Sequence, residues 1–217
     1  MRKTYTLVSL VFLTLCTTTQ AQIKKGSIFL GGDMTLGISN SKNSNDESVS
    51  KQTNFGISPV AGVALKDNFV AGASLNGGFS NYTYSNQTSQ KGNNFGAGVF
   101  ARHYKNLGKS GFYIFLQNSL NASFGEQRQR NTNSSDQIKI NSFTAVVSLY
   151  PGISYAATQK LHLETGFNNL LYMNYSHEKR NNTNPAYADT RTNSFSLGTS
   201  LNNLSSFYVG FRMLIAK

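Results

Sequence analysis

Apolar and small polar side chains alternate with a period of two along nearly the whole chain, and this alternation constrains the fold more than any other feature. Successive side chains of an extended strand point to opposite faces, so the repeat marks strands with two unlike faces. In the first stretch, Ile28, Leu30, Met34, Leu36 and Ile38 share one side, while Phe29, Gly31, Asp33, Thr35, Gly37 and Ser39 share the other. The apolar face returns in Phe55, Ile57, Ala61, Val63 and Leu65, then in Phe69, Ala71, Ala73, Leu75 and Phe79. It continues through Phe95, Ala97, Val99 and Ala101, and through Phe112, Ile114, Leu116, Leu120 and Phe124. Two further stretches are Phe143, Ala145, Val147, Leu149 and Ile153, and Leu161, Leu163, Phe167, Leu171 and Met173. At the end, Phe195, Leu197, Leu201, Phe207, Val209, Phe211, Met213 and Ile215 keep one parity across Asn202-Asn203-Leu204-Ser205. One long final strand over 193–216, kinked at its middle, is therefore expected in preference to two. The count is then eight.

Composition indicates which face points where. The chain has 217 residues and a net charge of +11, with 20 Lys and Arg against 9 Asp and Glu, yet only 13% of its residues are charged. That is about half the share of an ordinary soluble domain. A nucleic-acid-binding protein gains its positive balance by adding Lys and Arg, whereas this chain reaches it by having few acids, so no nucleic-acid partner is expected. The non-apolar strand faces carry Gly, Ser and Asn, not the Lys and Glu of a solvated exterior. The apolar faces are thus expected to point outward into lipid. The architecture that follows is all-β: an eight-stranded antiparallel transmembrane β-barrel. A soluble secreted β-barrel, with its apolar faces inward, is the competing arrangement.

Connection lengths agree with the membrane arrangement. Long polar segments fall near 40–52, 85–92, 126–137 and 178–192, and short turns near 66–68, 106–110 and 156–159. Alternation of this kind, with both chain ends on the short-turn side, belongs to barrels with short periplasmic turns and long extracellular loops. At the N-terminus, Arg2 and Lys3 precede the apolar run Leu7–Leu15, and Thr19-Gln20-Ala21 ends in a small residue. This is the form of a signal peptide expected to be cleaved after Ala21, leaving 22–217 as the barrel domain. A run of nine residues is too short to span a bilayer as a helix. The only cysteine, Cys16, follows the bulky Leu15, which argues against lipidation. Cleavage would leave a chain of 196 residues, without cysteine and with a charge of +9 once Arg2 and Lys3 are gone.

The segments Val60–Phe69, Pro151–Tyr155 with Lys160–Glu164, Phe207–Arg212 and the signal end Thr19–Gln22 together resemble a known family. It is that of the small outer-membrane β-barrel proteins of the Bacteroidota type, akin to the OmpA/OmpX-like eight-stranded barrels of Gram-negative bacteria. The resemblance covers nearly the whole mature chain. It implies an outer-membrane location, contact with outer-membrane lipid and lipopolysaccharide, and insertion by the barrel assembly machinery through the C-terminal strand. That family's last strand usually closes on an aromatic residue, whereas this chain ends Leu214-Ile215-Ala216-Lys217.

One set of residues stands out as a candidate site. Asp33, Arg102, Glu164 and Arg212 have inward parity at similar depth, and His162 sits just below Glu164. An unpaired buried ion is expensive, so these charges are expected to pair. Because an eight-stranded barrel is only wide enough for side chains, the pairs should form a plug that fills the lumen. A gate or ligand-selective constriction is the functional counterpart of the same cluster. The expected function is accordingly non-enzymatic, a structural or surface-interaction role through four polar loops. A narrow, porin-like pore or small-ligand passage is the alternative, and an outer-membrane enzyme the third.

No catalytic set, metal site or cofactor emerges. Ser176, His177 and Glu178 are adjacent and so alternate between faces, which prevents a triad. His103, His162 and His177 share no ligand spacing. Gly96-Ala97-Gly98-Val99-Phe100-Ala101 matches a dinucleotide-binding pattern by letter, but it lies in an alternating strand with no following helix. The charges of 126–130 and 177–180 face either lipopolysaccharide phosphates or, more simply, solvent. Tyr82, Tyr84, Tyr172 and Tyr175 lie near the outer strand ends, where an aromatic belt would sit, though Tyr82, Tyr84 and Tyr172 have inward parity.

Overall fold

The period-two pattern is realised as a set of antiparallel ladders. The structure is a computed structural model that describes residues 23–42, 49–84, 88–108, 110–131, 137–167, 170–184, 188–199 and 207–215. Its strands are β1 (Ile28–Lys42), β2 (Val49–Lys66), β3 (Phe69–Tyr84), β4 (Thr88–Asn106) and β5 (Phe112–Asn131). They continue with β6 (Gln137–Ala156), β7 (Leu161–Phe167), β8 (Leu171–Asn182), β9 (Thr190–Gly198) and β10 (Phe207–Ile215). No helix occurs among the described residues. The signal segment 1–21, with Cys16, lies outside them.

Ten segments occupy eight positions. Both β7 and β8 pair with β6, Gly152–Ala156 facing β7 and Ile138–Leu149 facing β8, so they are two parts of one stave. In the same way β9 pairs with β8 while β10 pairs with β7, which makes β9 and β10 the two parts of the last stave. Consecutive strands pair from β1 to β6, and β1 pairs with β10, closing the ring. The result is a closed antiparallel barrel of eight staves. The last stave therefore takes the eighth position as expected, but its described parts are two strands. Residues 200–206, where the kink was expected, lie outside the described residues. The β1–β10 ladder covers only Ile28–Gly31, and no ladder joins the outer part of β1 to β9 among the described residues.

The faces fall as their chemistry requires. Met34, Leu36, Leu75, Phe95, Val99, Leu120, Leu197 and Val209 are exposed on the outside, Leu197 at 75% and Val209 at 70%. Phe95, Phe124 and Phe143 lie directly opposite one another on successive strands, with ring centroids 5.8 and 5.1 Å apart. The buried apolar residues Phe29, Ala64, Val70, Phe100, Tyr104, Tyr113, Phe115, Ala156 and Leu214 all lie at the short-turn end of the interior.

The short turns sit where the sequence places them. Lys66 pairs with Phe69 across Asp67 and Asn68, and Asn68 adopts φ 60°, a left-handed conformation that asparagine tolerates better than most residues. The outer connections are shorter than the polar segments imply, because the strands run on into them. Residues 40–42, 49–52, 88–92, 126–131 and 178–182 are all in ladders. Backbone pairing does not need an apolar face, so the ladders continue beyond the point where the hydrophobic pattern fades.

Two facing glycines let the interior aromatics approach the wall. Gly62 and Gly72 are opposite each other on β2 and β3, and Phe100 lies opposite Gly72 on β4. A Cβ at Gly72 would run into the Ala61 carbonyl and the Phe100 ring, whereas a Cβ at Gly77, on the outer face of the same strand, meets nothing nearer than 3.9 Å. Gly72→Val is therefore expected to lower stability by about 1–3 kcal/mol in urea unfolding. Gly77→Val, with better strand propensity and room for the side chain, should leave the midpoint unchanged or raise it.

Candidate lumenal site

Four of the five residues singled out by parity meet inside the short-turn half of the barrel. Arg102 comes from β4, Glu164 and His162 from β7, and Arg212 from β10. Each is almost fully buried. Arg102 Nη1 donates to both Glu164 carboxylate oxygens at 2.7 Å, joining opposite walls across the lumen. The Arg102 side chain is 1% exposed and that of Glu164 is fully buried.

The pair is held by further hydrogen bonds. Arg102 Nε donates to Gln117 Oε1 at 2.7 Å, and Nη1 also approaches the Tyr104 hydroxyl at 3.0 Å. Tyr104 in turn donates to Glu164 Oε1 at 3.1 Å. The guanidinium carbon stands 4.3 Å from the ring centroid of Phe115 and 5.1 Å from that of Phe29, with the Tyr104 and Tyr150 rings at 5.6 and 6.0 Å. A cation enclosed by aromatic faces gains a quadrupole attraction that strengthens as water is excluded.

Arg212 forms the second layer of the cluster. Its Nε lies 3.4 Å from Glu164 Oε2, an ion contact without hydrogen-bond geometry. Its Nη1 donates to the carbonyls of Gly32 at 3.2 Å and Phe211 at 3.1 Å, just past the last β1–β10 pair. Asp33 is 3.5 Å from the same Nη1, but its side chain is 51% exposed, so it stands at the edge of the cluster. His162 directs its hydrogen bond elsewhere. Its Nδ1 shares a 3.0 Å hydrogen bond with Ser154 Oγ, and its ring lies 5.7 Å from that of Tyr113.

Parity found the charges and missed the aromatic packing around them. Phe100, Tyr104, Tyr113, Phe115 and Tyr150 point inward, on faces whose other members are mostly Gly, Ser and Asn. The available signal was that these bulky residues sit at the short-turn ends of β4, β5 and β6. Toward the other end the interior widens into a cup of about 480 Å³, lined by Thr35, Asn54, Ser58, Asn76, Asn94 and Gln127 among others. Between the cup and the charge cluster, the Asn121 side chain reaches over Gly98 to accept a hydrogen bond from Ser74 at 3.1 Å. The His103 ring packs at a tilt against that of Phe69, and His177 shares a 2.7 Å hydrogen bond with Asn193 near the outer rim. Among the described residues no group of three His, Cys, Asp or Glu side chains converges.

Removing one partner of a buried ion pair leaves an uncompensated charge, a loss of about 3–5 kcal/mol, whereas replacing both by apolar groups of similar size is often close to neutral. Arg102→Met and Glu164→Leu should each destabilise the barrel by about that amount in denaturant unfolding. The double variant should recover much of the loss. Additive losses would mean that the two side chains act independently.

No protein-family model matches the chain, and no curated protein sequence matches it. Among solved structures, the translocator domain of the autotransporter NalP from Neisseria meningitidis is similar in shape. The match has a TM-score of 0.49 and 13% identity, and it covers 89% of this chain and 68% of that one.

Proposed function

We propose that this chain is an integral outer-membrane β-barrel whose lumen is closed by the Arg102–Glu164 plug and which serves a structural or surface-interaction role through its outer loops. The carrying observation is the inversion of polarity. Leu, Val, Phe and Met side chains are exposed around the barrel wall, while two arginines and a glutamate are buried at its axis. Water would penalise the first arrangement, and lipid tolerates both. Ring closure, here through the Ile28–Gly31 ladder with β10, pairs backbone groups from strand to strand, as a medium that cannot hydrogen-bond requires. Export through the 1–21 segment and insertion through the C-terminal strand belong to the same reading, as does the absence of enzymatic chemistry.

A narrow passage is the second reading, favoured by the polar cup above the plug. Planar-bilayer recording separates the two. The plugged barrel is silent, and Glu164→Ala combined with Arg102→Ala opens discrete conductance steps by emptying the constriction. Ohmic steps from the unaltered protein, responding in size or ion preference to charge changes at Arg102 or Glu164, would establish the passage instead.

A further inference from the structure

The outer ends of β4, β5 and β6 carry an arrangement that neither the plug nor the fold requires. Lys91 lies directly opposite Arg128, and Arg128 directly opposite Lys139, so three cations form one row across three strands. All three have the parity of Phe95, Phe124 and Phe143 and stand on the outer surface. Beside them Lys179 lies opposite Arg191 on β8 and β9, with the same outward parity. Like charges placed opposite on one face destabilise a sheet. In a chain with only 13% charged residues, this placement calls for a counter-charge.

The protein supplies only part of it. Glu126 is the one acid on this outward face of β4–β9 among the described residues. It accepts from Arg128 Nε at 2.7 Å and is bridged by Arg128 Nη2 and Lys139 Nζ, both at 2.7 Å. Hydrogen bonds from Lys139 and Arg128 hold its carboxyl below the usual carboxylate range, so it remains ionised at neutral pH. One negative charge is thus shared by two cations, and the Arg128 side chain is still 58% exposed.

Height against the apolar wall indicates what completes the site. Lys91, Arg128 and Lys139 each lie four residues beyond Phe95, Phe124 and Phe143, a rise of about 13 Å along the strand. Allowing for strand tilt, the row stands within the polar interface just outside the hydrocarbon, with the aromatic row at the top of the apolar band.

We infer that Lys91, Arg128 and Lys139, above the Phe95–Phe124–Phe143 row, form a site for a phosphate-bearing lipid of the outer leaflet. The phosphate would lie between the three cations and the acyl chains against the phenyl rings. This rests on the membrane reading above. It makes the lipid a specific ligand of one side of the barrel, beyond being the surrounding solvent.

The test uses the folded mature chain in nanodiscs of phosphatidylcholine containing a minor fraction of phosphatidic acid, with native mass spectrometry reporting which lipid stays bound on release. Phosphatidic acid should be retained about tenfold over phosphatidylcholine, and added inorganic phosphate should not displace it. The triple variant Lys91→Gln, Arg128→Gln, Lys139→Gln should lose that preference. Lys66→Gln, Lys105→Gln, Lys160→Gln, at the opposite end of the barrel, should keep it. Equal retention of the two lipids, or equal loss in both triple variants, would overturn the site. Displacement by inorganic phosphate would show a free-anion site and overturn the lipid assignment. Failure of the unaltered chain to enter a bilayer at all would overturn the membrane reading, and the site with it.

Discussion

A strand with leucine, valine and phenylalanine on one face and glycine, serine and asparagine on the other can place its apolar face in contact with lipid only if its backbone polar groups are paired along both edges. On the membrane reading proposed above, that requirement governs the rest of this molecule. It accounts for β1 pairing with β2 along its length and with β10 over Ile28–Gly31, which closes the ring. It also explains why charges that would be solvated in a soluble protein are gathered on the axis. The small residues of the inner faces allow eight staves to curl around the inward side chains.

Given closure, the pairing of the buried charges follows from electrostatics. Arg102 and Glu164 come from walls separated by 62 residues in sequence, and each would be prohibitively costly alone at their depth. Together with Arg212 and the partly exposed Asp33 they balance formally, and the surrounding phenol and phenyl rings take the remaining contacts. Arg212 links two tasks. It touches Glu164 on one side and, on the other, binds the backbone carbonyls where β1 and β10 part. The polar cup beyond this cluster is lined mainly by amides, hydroxyls and glycines, with Glu178 among its residues. The barrel interior thus has a half packed with charges and aromatic rings and a half with a polar cavity.

Much of this was legible because parity can be counted. Phe95 and Val99 are outward, Arg102 and Glu164 inward, and the turn at Asp67-Asn68 interrupts the alternation visibly. The aromatic half of the plug was hidden for a physical reason. A tyrosine such as Tyr104 fits the lipid interface, a lumen or a soluble core equally well, so its type carries no information until the neighbours of Arg102 are known. The extent of the strands was hidden because Thr88–Lys91 and Glu126–Asn131 are polar on both faces, and the pattern is silent where hydrogen bonding continues. The cation row was hidden for a third reason. Lys91, Arg128 and Lys139 are far apart in sequence, and only the ladder registers bring them opposite one another.

The claim on which the account rests is that the apolar face of each strand meets lipid and the other face meets the plug. A nitroxide scan along β5 at residues 114–120 in bilayers tests it most directly, using the accessibility of each label to oxygen and to a polar nickel chelate. The account predicts oxygen accessibility that peaks at Ile114, Leu116 and Leu120, with Phe115, Gln117 and Ser119 shielded from both reagents. Peaks of chelate accessibility at 114, 116 and 120 would place that face in water and contradict it.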